Sequence, residues 1–113
     1  MRVPRRLLIL GSTGSIGTQA LDIVERSADL ELVGLSAERS WDALVAQAAA
    51  HGVRRIALAD PDAGARAAEA WTDGEVLVGP EGLVRLVVDS GADLVLNGLV
   101  GSAGLGPTVA TLG

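Results

Sequence analysis

The sequence predicts an α/β protein: one doubly wound, mostly parallel sheet of about five strands with helices on both faces. Three observations carry this. Short runs rich in branched aliphatic residues begin near residues 7, 31, 55, 75 and 93, and a period of about twenty residues is the length of one strand, one helix and two short loops. Between the runs, Pro61 and Pro80 sit where helices should open, and Gly52 and Gly91 where they should close. Finally, Leu7-Leu8-Ile9-Leu10 has no polar interruption and runs straight into Gly11, Gly14 and Gly17, spaced three apart. That is a buried parallel strand turning tightly into a helix.

The elements follow in order. The first helix should cover residues 15–28, with Ile16, Ala20, Ile23 and Val24 as its apolar face. A strand over 31–36 leads to Ser40, a candidate N-cap for a helix that turns Trp41, Leu44, Val45 and Ala48 inward and stops at Gly52. The third strand, 55–59, ends at Asp60, which can cap a helix with Pro61 in its first turn and Ala-rich turns through Trp71. A strand over 75–78 precedes a helix opened by Pro80 that faces Leu83, Leu86 and Val87 inward. The fifth strand, 93–97, runs into a Gly-rich loop, 97–104, and a short last helix around 107–112. The pattern stops where a sixth strand is expected, so the sheet edge should be open and the domain incomplete.

Composition narrows the function. At 113 residues the chain is one domain at most, and its 49% apolar content is nearly all Ala, Leu, Val and Ile, which suits strands covered on both faces. All nine basic residues are Arg and the net charge is −5, a balance that disfavours nucleic acid as a partner. The basic start at Arg2, Arg5 and Arg6, with only four apolar residues after it, is too short for a signal peptide or a membrane span. Without Lys there is neither a Walker lysine nor a Schiff base; with one His and no Cys, the usual zinc ligand sets cannot be assembled. The absence of Cys fits a cytoplasmic protein. Such a chain is better equipped to hold a cofactor than to react one.

A ligand of such a fold lies beyond the carboxyl ends of the strands, where strand order reverses. There Gly11 can take backbone angles forbidden to other residues, Gly14 leaves room for a pyrophosphate, and Gly17 lets the helix close on its strand. Helix N-terminal amides then face the anion, with Thr13 and Ser15 as extra hydroxyl donors. The competing reading is a Gly-rich turn without a ligand. In the second loop, 36–41, Arg39 with Ser40 suits a 2′-phosphate, whereas Glu38 suits a free 2′-hydroxyl; alternatively both charges are simply solvated. Asn97 is either a polar contact in the third loop or a turn former.

Two stretches carry a resemblance. Gly11-Ser12-Thr13-Gly14-Ser15-Ile16-Gly17, followed by Thr18-Gln19-Ala20-Leu21-Asp22-Ile23-Val24, resembles the start of the 1-deoxy-D-xylulose 5-phosphate reductoisomerase family. Leu96-Asn97-Gly98-Leu99-Val100-Gly101-Ser102-Ala103-Gly104-Leu105, with Pro107-Thr108, resembles a second block of the same cofactor domain. The resemblance spans essentially the whole chain. It implies a Rossmann-like NADPH-binding domain of an oxidoreductase of isoprene biosynthesis by the non-mevalonate pathway, acting on a sugar phosphate with Mg or Mn. By the same resemblance Thr13, Gly14, Ser15 and Ile16 contact the cofactor, and Ala37, Glu38, Arg39 and Ser40 lie at the 2′-phosphate. Where the family has a Gly-Lys-Asn run, Glu38, Arg39 and Ser40 keep the positive charge but add a carboxylate. The family's Asn-Lys-Glu segment, metal-binding carboxylates and C-terminal helical domain are expected beyond residue 113, and the resemblance implies a homodimer of the full-length protein. The expectation is therefore a cofactor-binding part with no catalytic or metal-binding residue of its own; the alternative is a stand-alone NAD(P)-binding or regulatory module.

Overall fold

The structure, a computed structural model, describes residues 5–97 and 108–111. Along them the chain forms β1 (Arg5–Leu10), α1 (Ser15–Glu25), β2 (Leu30–Ala37), α2 (Trp41–His51), β3 (Arg55–Leu58), α3 (Pro61–Ala70), β4 (Glu75–Val78), α4 (Gly79–Asp89), β5 (Leu94–Asn97) and β6 (Thr108–Thr111). The sheet order is β4-β3-β2-β1-β5-β6. The first five strands are parallel, and β6 lies antiparallel to β5. The chain steps outward from β1 to β4 and then crosses back to the far side of β1 for β5. Strand order therefore reverses between β1 and β5, where a doubly wound sheet opens a crevice.

Side chains alternate along each strand, so the sheet has two apolar faces. Leu7, Ile9, Leu35, Ile56 and Leu58 pack with Leu21 and Val24 of α1, Leu44 and Ala48 of α2, and Ala63 and Ala67 of α3. On the other face, Leu8, Ala57, Leu77 and Val95 pack around Leu86 of α4. A fully buried Leu or Ile contributes roughly 1.5–3 kcal/mol, and Leu8, Ile9, Leu35, Leu44, Ile56, Leu58 and Leu86 are all fully buried. Trp71 is buried in the first cluster and Trp41 packs on its edge, so both Trp residues belong to the core.

Helix punctuation follows the sequence closely. Gly52, with φ 68°, ends α2 in the left-handed conformation. The Asp60 carboxylate accepts the Ala63 amide at 3.0 Å, with Pro61 opening α3.

Five expectations are corrected. Residues 108–111 form β6 rather than part of a helix, because Thr108, Val109 and Thr111 are β-branched and β5 otherwise leaves an unpaired edge. The open fifth-strand edge is thereby replaced by a paired one; Pro107 and residues 112–113 lie outside the described residues. The first helix ends at Glu25 rather than at 28, and Ile23 is 62% exposed while Leu21 is buried in its stead. Gly17 is the point of contact with the preceding turn, so the inward positions count from it: 17, 20, 21 and 24. Ser40 occupies the N-cap position of α2 but makes no side-chain capping bond, its ψ of 64° lying away from the extended region where a cap reaches back.

Candidate functional site

The turn after β1 is shaped by its neighbours before any ligand is considered. Gly11 has φ 75°, a conformation that side chains strongly disfavour. Its amide donates to the Ser36 hydroxyl at 3.1 Å, and the Ser12 amide donates to the Ser36 carbonyl at 2.8 Å. Ser12 is fully buried; its hydroxyl donates to Gln47 Oε1 at 2.7 Å, and Gln47 Nε2 donates to the Ser12 carbonyl at 3.0 Å. These bonds turn the Gly11 and Ser12 polar groups inward.

What remains for a ligand is the start of α1. The helical hydrogen bonds begin with the Thr18 amide donating to the Gly14 carbonyl at 2.9 Å, so the amides of Ser15, Ile16 and Gly17 precede the helical ladder and face the helix end. A Cβ on Gly17 would overlap the Gly11 carbonyl oxygen and come within 2.5 Å of Ser12 Cα, which is why the helix can start so close to the strand. Gly14 differs. Its backbone, φ −76° and ψ 173°, is open to any residue, and a Cβ there would meet only the Gly11 carbonyl oxygen, at 3.6 Å.

The second loop leaves β2 at Ala37. Its backbone is tied to the next strand end: the Ala59 amide donates to the Ala37 carbonyl at 3.1 Å and the Asp60 amide to the Glu38 carbonyl at 2.9 Å. Its side chains are not so held, and Glu38, Arg39 and Ser40 are exposed. Between the two loops lies a cleft of about 310 Å³, lined by Gly11, Thr13, Gly14, Ala37, Glu38, Arg39 and Ser40.

The structure thus brings these candidate residues together around one opening, with Ser15, Ile16 and Gly17 in the adjoining helical turn. Asn97 stands at the end of β5 in register with Leu10, beside the start of the turn but outside the cleft lining. The rest of the third loop lies outside the described residues. Sequence reasoning missed Ser12, Ser36 and Gln47. The available signal was Gln47 itself, a polar residue three positions after Leu44 and one before Ala48 on the buried stripe of α2.

A doubly wound sheet whose first strand runs through a left-handed glycine into a helix start, at the reversal of strand order, defines a dinucleotide-binding type of α/β domain. The family model for 1-deoxy-D-xylulose 5-phosphate reductoisomerase matches residues 7–113. The chain belongs to this family. It is 51% identical over 109 residues to the reductoisomerase of Nocardia farcinica and 51% identical over 110 residues to that of Mycolicibacterium smegmatis. These matches cover 95% and 96% of the chain but only 26% of each relative, so the chain spans about a quarter of their length. Among solved structures, the Zymomonas mobilis reductoisomerase in complex with NADPH matches 80% of the chain with a TM-score of 0.73 and 33% identity, over 24% of its own length. A reductoisomerase in complex with magnesium matches 82% of the chain at a TM-score of 0.76 and 31% identity, again over 24% of its own length.

Proposed function

We propose that residues 1–113 are the NADPH-binding part of a 1-deoxy-D-xylulose 5-phosphate reductoisomerase, an enzyme that rearranges its sugar phosphate and reduces it to 2-C-methyl-D-erythritol 4-phosphate. The observation that carries this reading is the cleft with helix-start amides beside one lip and Arg39 on the other. The residues fit the cofactor. Gly14 leaves open space where a pyrophosphate would approach, and the amides of 15–17 supply donors aimed at an anion. Thr13 in the cleft and Ser15 at the start of α1 would add hydroxyls, Ile16 next to it an apolar contact, and Arg39 with Ser40 a charged grip on the 2′-phosphate, with Glu38 and Ala37 also in the cleft lining.

When bound, NADPH supplies the hydride for the reduction. This chain's residues bind and orient it; none is assigned a catalytic step. Among the described residues no group of three or more His, Cys, Asp or Glu is placed to hold a metal ion; we assign the Mg or Mn site to residues beyond this chain by analogy with the reductoisomerase solved in complex with magnesium, of which the chain covers 24%. No helix among them is long and apolar enough to cross a membrane. We extend the proposal to a cytoplasmic homodimer for the whole enzyme, without nucleic-acid partners, in line with the net charge of −5.

The test is an assay of the protein expressed from its complete reading frame. NADPH consumption should depend on 1-deoxy-D-xylulose 5-phosphate and on Mg or Mn, and NADPH should bind in the absence of substrate. Failure to bind either NADPH or NADH would remove the reading.

A further inference from the structure

Gln47 lies thirty-five residues from Ser12 in sequence, on a helix whose first residues follow the second loop of the cleft. Its side-chain amide meets two polar groups of Ser12: Oε1 accepts the hydroxyl at 2.7 Å, the shorter of that hydroxyl's two contacts, the other being the Ser36 carbonyl at 3.4 Å, and Nε2 donates to the Ser12 carbonyl at 3.0 Å. The carbonyl can only accept, so only this orientation of the amide satisfies both bonds. Ser36 takes the other side of the turn, accepting the Gly11 amide on its hydroxyl and the Ser12 amide on its carbonyl. Neither Gln47 nor Ser36 lines the cleft between the two loops, and Ser36 is buried.

We infer that Gln47 is the positioning residue of the anion-facing turn. Together with Ser36 it holds Gly11 and Ser12 inward before any ligand arrives, which leaves the amides from 15 onward as the ligand's donors. Because Gln47 is on α2, the same clamp ties the turn to the loop 38–40, so the two lips of the cleft keep a fixed separation. A turn held in its binding shape loses less freedom when a dinucleotide binds. The consequence for affinity rests on the function proposed above; the clamp itself does not.

The experiment compares the parent protein, from its complete reading frame, with Gln47→Leu, which keeps bulk and removes both bonds, and with Ser12→Ala, which removes the hydroxyl alone. In the ligand-free protein, amide hydrogen exchange at Gly11 and Ser12 should accelerate about tenfold in Gln47→Leu, with exchange in β3 and α4 unchanged. Affinities for NADPH and NADH should fall together, about tenfold each, their ratio preserved. Unchanged exchange at Gly11 and Ser12, or equal acceleration throughout β3 and α4, would overturn the inference, since Gln47 would then merely support the fold. A loss confined to NADPH would also overturn it by assigning Gln47 to 2′-phosphate discrimination. If the parent binds neither nucleotide, the proposed function falls while the exchange measurement still decides the clamp. Should Gln47→Leu fail to fold, Ser12→Ala carries the same exchange prediction at smaller amplitude.

Discussion

The two lips of the cleft are built in opposite ways. On the first, residues 11–17, the shape is set by backbone and by buried partners: a left-handed Gly11, a Gly17 pressed against the turn, and Ser12 held by Ser36 and Gln47. On the second, residues 37–40, the backbone is tied down through Ala37 and Glu38, but the side chains of Glu38, Arg39 and Ser40 stand in solvent. Under the proposed function, the first lip would offer amides that every dinucleotide can use. The second would offer side chains that can tell one dinucleotide from another. Substitutions in the first should therefore change the fold or the affinity for any dinucleotide, whereas those in the second should change selectivity at little cost in stability.

The largest expected effect belongs to Gly17→Val. Its Cβ would overlap the Gly11 carbonyl, and the overpacking should cost about 3 kcal/mol or more. Urea denaturation measures this, and a loss below about 1 kcal/mol would mean that the helix can move off the turn.

Gly14→Val separates shape from ligand on the same lip. Its backbone angles and the 3.6 Å neighbour permit a Cβ, so stability should change by less than about 1 kcal/mol. NADPH affinity should nevertheless drop about a hundredfold, as the side chain fills the space proposed for the pyrophosphate. Calorimetric titration alongside thermal melting checks both halves; retained affinity would move the pyrophosphate elsewhere.

On the second lip, Arg39→Ala should weaken NADPH binding about tenfold to a hundredfold, the worth of charged hydrogen bonds to a phosphate, and NADH binding less than about twofold. Equal losses for the two nucleotides would show that Arg39 does not discriminate. The smallest contrast pairs two cap positions. Asp60→Ala removes a carboxylate that accepts the Ala63 amide and should cost about 1 kcal/mol, whereas Ser40→Ala removes no capping bond and should leave stability within about 0.5 kcal/mol. Equal melting temperatures for these two variants would contradict the difference in their caps.

Much of this architecture can be read in the residues. The uninterrupted run from Leu7 to Leu10 is the buried core of β1, the strand expected over 75–78 has the observed bounds, and Gly52, Asp60 and Pro61 punctuate helices as expected. These are local effects, set by which backbone angles and hydrogen bonds a residue type permits. The less legible features depend on distant neighbours. Ile23 and Leu21 are both apolar, and only the docking of Gly17 on the turn decides which one faces the sheet. In the same way, residues 108–111 become a strand because β5 is beside them to pair with.

By itself, then, the sequence determined the alternation of strands and helices, their punctuation and the glycine turn, because period, propensity and backbone freedom act within a few residues. The tertiary structure alone decided the rotation of α1, the antiparallel β6, and the meeting of Ser12, Ser36 and Gln47 beneath the turn. The last depends on hydrogen bonds between residues twenty-five and thirty-five positions apart, whose partners exist only once β2 and α2 have packed beside β1.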